Sequence, residues 1–177
     1  MNQPVQFLKD NAHRFCQFEQ SELQPIISRV TGCSAPDAFA AGEFHCNMLS
    51  KWLCLAASGI INYDYEAFFK KAYENKLCNR NGYIAVTLPS FFQVMEIPVT
   101  CTEYPDVNSI PEEQRQPGAV FQIPVNGDHH FMSCGVDQDW KLYLFDSHNT
   151  TYRPYGGELF AALAVHGDKI DCFKKYA

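Results

Sequence analysis

Three residues of the types that together perform nucleophilic catalysis occur in the order Cys46, His130 and Asp146. A cysteine thiolate attacks a carbonyl carbon, a histidine transfers the proton, and a carboxylate fixes the tautomer of the imidazole and stabilises its charged form. Taken alone, Cys46 fits a buried thiol that packs as a small hydrophobe, because the chain has eight cysteines. The elements that carry the three residues therefore decide whether they meet.

Cys46 opens a segment with helical periodicity, CNMLSKWLCLAASG. Its apolar positions recur at helical spacing: Met48, Leu49, Trp52, Leu53, Leu55 and Ala56. Gly59 is placed to end this helix. We therefore predict Cys46 in the first turn of a buried helix, where unpaired N–H groups favour a thiolate and can donate to an oxyanion formed in front of the sulfur.

His130 and Asp146 fall on two predicted neighbouring strands. The segment GAVFQIPV alternates in the manner of a strand, Asn126-Gly127 is a strong hairpin signal, and HHFMSCGV follows as the second strand. A turn at 137–140 leads into a third strand, KLYLFD. If these last two strands are antiparallel, the start of one lies beside the end of the other, so His130 and Asp146 become adjacent at one edge of the sheet.

The remaining elements place helices first and strands later. Residues 4–30 are predicted helical, with Ser21-Glu22-Leu23-Gln24 as the capping box of a second helix, and residues 31–45 are predicted to be a long loop. Asp64 is predicted to cap a third helix, and residues 83–104 are predicted to end in a strand at 98–104. After the third strand of the meander come a short strand, TTYRPY, a helix at 159–166 and a last strand near 169–174. This order predicts one α+β domain, residues 1–177, with an antiparallel sheet packed on the early helices.

Composition excludes several classes of function. The 177 residues carry a net charge of −6 and no dense Lys/Arg tract, which argues against nucleic-acid binding. The start of the chain lacks the pattern of a cleavable export signal, and no apolar stretch is long enough to span a membrane. No pair of cysteines has CxxC spacing, so we expect most thiols to be reduced and buried.

Two segments resemble papain-like cysteine peptidases, closest in motif to the YopT-type effector proteases. CNMLSKW is similar to their nucleophile helix, and HFMSCGVDQDWKLYLFDSHNTTYRP is similar to their His–strand–turn–strand–Asp segment. Bacteriocin-processing peptidases share the same HF…G…D outline and are the second choice. The resemblance covers roughly residues 42–155.

The resemblance implies a papain-like fold and a cysteine protease that works through an acyl-enzyme intermediate. It implies Cys46 as the nucleophile, His130 as general base and acid, and Asp146 as the residue that orients His130. It implies a protein or peptide substrate and no cofactor or metal. It further implies a bacterial effector that acts on a host protein, cytoplasmic or secreted without a cleavable signal peptide.

Two features depart from the papain-like pattern. No Gln or Asn stands a few residues before Cys46, so the oxyanion hole is expected to use backbone N–H groups or a side chain from elsewhere, such as Gln17 or Gln20. The doublet His129-His130 places its rings on opposite faces of a strand. His130 is favoured because Met132 and Cys134 would then point with it toward the cysteine helix, while His129 stays open as the alternative.

Other functions are compatible with the same residues. A papain-like deamidase or acyltransferase uses the same triad, and a non-catalytic binding module could keep the fold as a scaffold. The remaining histidines, His13, His45, His148 and His166, are expected to be satisfied structural residues. A metal site is a further alternative because several possible ligands cluster in sequence: Asp128, His129, His130, Cys134, Asp146 and His148.

Overall fold

Helices precede strands along the chain, as predicted. The computed structural model describes residues 3–12, 14–17, 20–148, 152–155 and 169–177. Its helices are α1 (Gln3–Ala12), α2 (Leu23–Thr31), α3 (Ala35–Gly42), α4 (Cys46–Ala57), α5 (Tyr65–Glu74) and α6 (Leu88–Met95). No helix in these ranges combines the length and apolar character needed to cross a membrane.

The strands form one antiparallel sheet in the described part of the chain. They are β1 (Cys101–Tyr104), β2 (Val120–Val125), β3 (His130–Val136), β4 (Leu142–Phe145), β5 (Tyr152–Tyr155) and β6 (Phe173–Tyr176), in the spatial order β1-β6-β2-β3-β4-β5. The meander from β2 to β5 confirms the predicted strand order. The last strand begins at Phe173 rather than near 169, and the helix predicted at 159–166 lies outside the described residues.

Two helices begin and end where their sequence signals predict. The helix α4 begins at Cys46, and Gly59, just beyond its end, adopts a positive φ of 71° that glycine accepts at little cost. The helix α5 begins after Asp64, whose side chain accepts a hydrogen bond from the Tyr65 amide at 2.7 Å.

Two local predictions in the first half of the chain are wrong. The segment predicted as a loop at 31–45 contains α3, which is capped by Ser34 through a 3.2 Å hydrogen bond from the Asp37 amide. Pro36 lies in its first turn, where the missing N–H removes no helical hydrogen bond. The predicted capping box at residues 21–24 does not form, because α2 begins at Leu23 and its N-cap residue, Glu22, makes no side-chain cap bond.

The sheet carries α1 and α4 on one face and a separate apolar cluster on the other. Ser133 on β3 donates to the Ser50 carbonyl of α4 at 3.2 Å, which places α4 against the centre of the sheet. Gly135 on the same strand lies beneath α1. The opposite face includes Phe121, Met132 and Cys134, all of which are buried. The sheet therefore presents its two central strands to α4, the helix that begins with Cys46.

Close packing of α1 on β3 requires a residue without a side chain at position 135. A Cβ atom added to Gly135 would lie 2.9 Å from Val5 Cγ2 and 3.0 Å from Leu8 Cδ1. Gly135→Val is therefore expected to lower the free energy of unfolding by about 1–3 kcal/mol through overpacking. Urea unfolding followed by circular dichroism measures the loss. The double variant Val5→Ala/Gly135→Val should recover part of it, and a fully stable single variant would contradict this packing.

Candidate functional site

Cys46 is the first residue of α4, and the start of this helix carries no side-chain cap. Its N-cap residue, His45, makes no side-chain cap bond, whereas α3, α5 and α6 are capped by Ser34, Asp64 and Thr87. The first N–H groups of a helix have no partner within the helix. These amides are therefore available beside the sulfur. Although only 8% of Cys46 is exposed, the residue lines a cavity of about 520 Å³.

His130 and Asp146 are joined by a direct hydrogen bond. His130 Nε2 lies 2.8 Å from Asp146 Oδ1, and the same carboxylate oxygen accepts the backbone amide of His148 at 2.9 Å. The predicted adjacency of the start of β3 and the end of β4 is thus observed. The second nitrogen of His130, Nδ1, is buried and has no hydrogen-bond partner among the described residues. One ring nitrogen is therefore held by the carboxylate, and the other is buried without a partner among the described residues.

Cys46 lies close enough to His130 to affect its protonation. Burial of His130 disfavours the imidazolium, but the hydrogen bond and charge of Asp146, together with the nearby Cys46, outweigh it and raise the pKa of His130 to about 9. Burial also opposes ionisation of Asp146, yet the hydrogen bond and charge of His130 dominate and lower the pKa of that carboxyl. The geometry therefore favours an imidazolium between a carboxylate and a sulfur.

His148 belongs to this group of residues, although it was expected to be a structural histidine. Its ring stacks on that of His130, with centroids 3.7 Å apart and planes inclined by 24°. Burial lowers the pKa of His148, and the adjacent charge of His130 lowers it further. The only sequence signal for this role is the position of His148 two residues after Asp146.

His130, rather than His129, bonds Asp146, but the reason first given for choosing it is wrong. Met132 and Cys134 pack on the sheet face away from α4, while Ser133 bonds Ser50 of α4. His130 is the first residue of β3, and Asp146 follows the last residue of β4. At strand ends the pleat no longer fixes the direction of a side chain, so His130 lies near Cys46 although Met132 and Cys134 face away from α4. His129 is exposed and lines the same cavity.

His45 anchors the residue before Cys46 in the core. The ring is fully buried, with Nδ1 2.6 Å from the Tyr65 hydroxyl and Nε2 2.7 Å from the Arg80 carbonyl oxygen. The carbonyl requires Nε2 to carry the proton, so the hydroxyl donates to Nδ1. Burial lowers the pKa of His45 to about 4, which keeps the ring neutral. The prediction that His45 is a satisfied structural residue is confirmed.

Gln17 and Gln20 were candidates for the oxyanion hole, but their amide donors are used elsewhere. Gln17 Nε2 donates to the carbonyls of Gly42 and Glu43 at 3.2 and 2.8 Å, and its Oε1 accepts from the Ser147 hydroxyl. Gln20 Nε2 donates to the Gln17 and Phe39 carbonyls, each at 2.6 Å. Gln17 therefore ties the turn before Cys46 to the turn after Asp146.

The cavity around Cys46 combines aromatic surface with negative charge. Phe44 and Tyr83 are 45% and 51% exposed, and their ring centroids lie 5.9 Å apart. Glu43 and Asp128 also line the cavity and are exposed. Neither lysine nor arginine lines it among the described residues. The cavity can therefore accept an apolar group beside a positively charged one.

Of the six residues considered as metal ligands, the structure brings three together and places Cys134 elsewhere. Cys134 is buried in the apolar cluster on the far face of the sheet. Ligand atoms of His130, Asp146 and His148 lie within 4.8 Å of one another. However, the two rings stack, so their in-plane lone pairs run side by side rather than converging, and Nε2 of His130 is bonded to Asp146. This orientation favours stacking over coordination of zinc.

Comparison of the chain with protein-family models, with curated proteins and with solved structures finds no match.

The buried neutral ring of His45 makes stability sensitive to acid. An unfolded histidine binds a proton near pH 6.5, but the folded His45 does so only near pH 4. The contribution is therefore complete above pH 6.5 and is lost as the pH falls toward 4, by about 3 kcal/mol. Urea unfolding at pH 7 and pH 4.5 measures this change.

The matched control is His45→Gln, which keeps a donor for the Arg80 carbonyl but does not titrate. This variant should be less stable than the natural chain at pH 7 and lose less stability between pH 7 and pH 4.5. An equal loss in both proteins would show that other groups cause the acid sensitivity.

Proposed function

We propose that this chain is a papain-like cysteine hydrolase that cleaves protein or peptide substrates through an acyl-enzyme intermediate. The observation that carries the proposal is the placement of His130, which bonds Asp146 through Nε2 and lies near Cys46, while its buried Nδ1 has no hydrogen-bond partner among the described residues. Such a placement meets the requirements of a base held by an orienting carboxylate beside a nucleophile.

In the proposed reaction, the Cys46 sulfur attacks the carbonyl carbon of the scissile bond. The carbonyl oxygen becomes an oxyanion near the uncapped amides at the start of α4. His130 then gives its proton to the leaving amine, and a thioester remains on Cys46. A water molecule, deprotonated by His130, attacks the thioester and releases the acid, which restores the thiolate–imidazolium pair.

The order of elements supports the papain-like part of the proposal. A helix that begins with the cysteine packs on an antiparallel sheet, with the histidine at the start of one strand and the aspartate after the end of the next. A YopT-type effector that acts on a host protein is the subfamily and role we propose, on the motif resemblance. Deamidation and acyl transfer use the same residues and differ in the acyl donor and acceptor that the cavity admits.

Selective alkylation tests the proposed nucleophile without a known substrate. If the proposal holds, iodoacetamide at pH 6 should label Cys46 first, because Cys46 lines the cavity near His130 and a thiol beside an imidazolium reacts readily. Burial raises the pKa of Cys54 and Cys78 to about 12 and that of Cys172 to about 11, so these thiols should react slowly. Mass spectrometry of peptides over time gives the rate at each cysteine.

Variants of the doublet and the carboxylate complete this test. His130→Ala should slow labelling of Cys46 at pH 6 by about tenfold or more, whereas the matched His129→Ala should not. Asp146→Asn should give an intermediate rate, because an amide can still orient the ring. If the rate of Cys46 labelling falls in His129→Ala and not in His130→Ala, His129 is the base. If Cys46 is labelled no faster than the other cysteines, the result would favour a non-catalytic binding module. If mass spectrometry finds one zinc ion per chain, the result would favour a metal site.

The lining of the cavity predicts the charge preference of the substrate. Glu43 and Asp128 should favour a peptide that carries lysine beside an aromatic residue over one that carries glutamate there. Fluorescence polarisation with labelled Lys-Phe-Lys and Glu-Phe-Glu peptides on the Cys46→Ala protein measures this preference.

Charge-neutral variants identify the carboxylates responsible. Glu43→Gln and Asp128→Asn should each reduce the preference, by up to about fivefold, since exposed charge pairs contribute at most about 1 kcal/mol. Glu112→Gln, an exposed acid outside the cavity, is the matched control. Equal binding of the two peptides by the Cys46→Ala protein would contradict the prediction.

A further inference from the structure

A lysine side chain is buried between α4 and the sheet. Lys51 is 1% exposed, and its Nζ donates to Gln122 Oε1 at 3.2 Å and to the Tyr176 hydroxyl at 2.9 Å. Burial lowers the pKa of Lys51 to about 7, with a further contribution from the charge of Lys174. An apolar residue would fill this interface at a lower cost in desolvation. The network around the ammonium group therefore calls for an explanation beyond packing.

The network has one direction of hydrogen-bond donation. Lys51 Nζ and the Tyr176 hydroxyl both donate to Gln122 Oε1, which fixes the oxygen end of that amide. The amide nitrogen of Gln122 then faces α4 and donates to Ser50 Oγ at 2.8 Å and to Asn47 Oδ1 at 3.1 Å. Reversing the amide of Gln122 or that of Asn47 would place one N–H donor against another. The donors on Lys51 and Tyr176 therefore set the orientation of both amides.

The chain of hydrogen bonds ends at the residue that follows the candidate nucleophile. Asn47 lines the same cavity as Cys46, and its Oδ1 is occupied by Gln122. Asn47 Nδ2 donates to no described residue, and it is not among the buried unpartnered atoms. The group that Asn47 can present to a ligand in this cavity is therefore its NH2. Successive donation from Lys51 polarises both amides and strengthens this final donor.

We propose that Asn47 is a catalytic residue whose Nδ2 donates a hydrogen bond to the oxyanion formed at Cys46, and that Gln122 is the residue that positions it. The proposal rests on the hydrolase function proposed above. It supplies the side-chain donor that is missing upstream of Cys46 and that neither Gln17 nor Gln20 provides. Together with the first amides of α4, Asn47 would complete the oxyanion hole.

A comparison of two reactions of the same sulfur tests this role. With p-nitrophenyl acetate, the sulfur bonds to the carbonyl carbon, an oxyanion forms, and the C–O bond then breaks to release p-nitrophenolate. With iodoacetamide, the sulfur displaces iodide from a methylene carbon, and no oxyanion forms. A residue that stabilises the oxyanion affects the first reaction alone, whereas a residue that supports the sulfur or the helix affects both.

Asn47→Ala should slow the p-nitrophenolate burst by about 100-fold and leave the rate of Cys46 alkylation within about twofold of the natural chain. Asn47→Asp should lose the burst as well, because a carboxylate has no donor and repels the oxyanion. Asn108→Ala, an exposed asparagine outside the cavity, is the matched control and should change neither rate.

Gln122→Glu tests the positioning step in a variant that keeps the network filled. A carboxylate can still accept from Lys51 and Tyr176, but it cannot donate to Asn47 Oδ1, so the burst should fall while alkylation persists. Equal losses in both reactions, or an unchanged burst in Asn47→Ala, would overturn this role for Asn47. Nonselective alkylation of the natural chain would instead contradict the proposed hydrolase function, so the two failures are distinguishable.

Discussion

The start of α4 is held in place by buried hydrogen bonds, which are directional, as well as by apolar contacts, which are not. His45 fixes the residue before the helix against Tyr65 and the Arg80 carbonyl, and Gln17 fixes the preceding turn against the turn after Asp146. Gln122 holds the first turn of α4 to the sheet. An apolar interface tolerates small slides of a helix, but a buried amide left without its partners costs about 1–3 kcal/mol. These bonds therefore determine where Cys46 lies relative to the ends of β3 and β4.

Two histidine rings, His130 and His148, stack in the candidate site, and their surroundings favour a proton on only one of them. His148 stacks on His130, and two imidazolium rings at 3.7 Å would repel one another. Burial and the charge of His130 lower the pKa of His148, while Asp146 and Cys46 raise that of His130. The positive charge is therefore confined to the ring that bonds the carboxylate. A second titratable ring in the site thus adds packing without competing for the proton.

Sequence patterns predicted the parts of the fold that follow a single local period. The helix from Cys46 and the strand pairs around Asn126-Gly127 were predicted because apolar spacing and turn residues agree there. The contact of His130 with Asp146 followed from strand order alone. The helix α3 was missed because residues 31–45 show no sustained helical period and contain Gly32, Pro36 and Gly42, although a proline in the first turn is compatible with a helix.

The interactions around Gln122 that sequence patterns missed join residues far apart in the chain. Gln122 on β2 appears as one polar residue in an apolar strand, and only the packed sheet shows that it meets Lys51 and Asn47 of α4. Once the register of β2 and β3 is known, Gln122 is seen to pair with Ser133 and to face α4, but no local signal sets that register. A polar residue in a predicted core strand therefore indicates a buried hydrogen-bond partner elsewhere in the chain. Here one partner of Gln122 is Asn47, the residue that follows the candidate nucleophile Cys46.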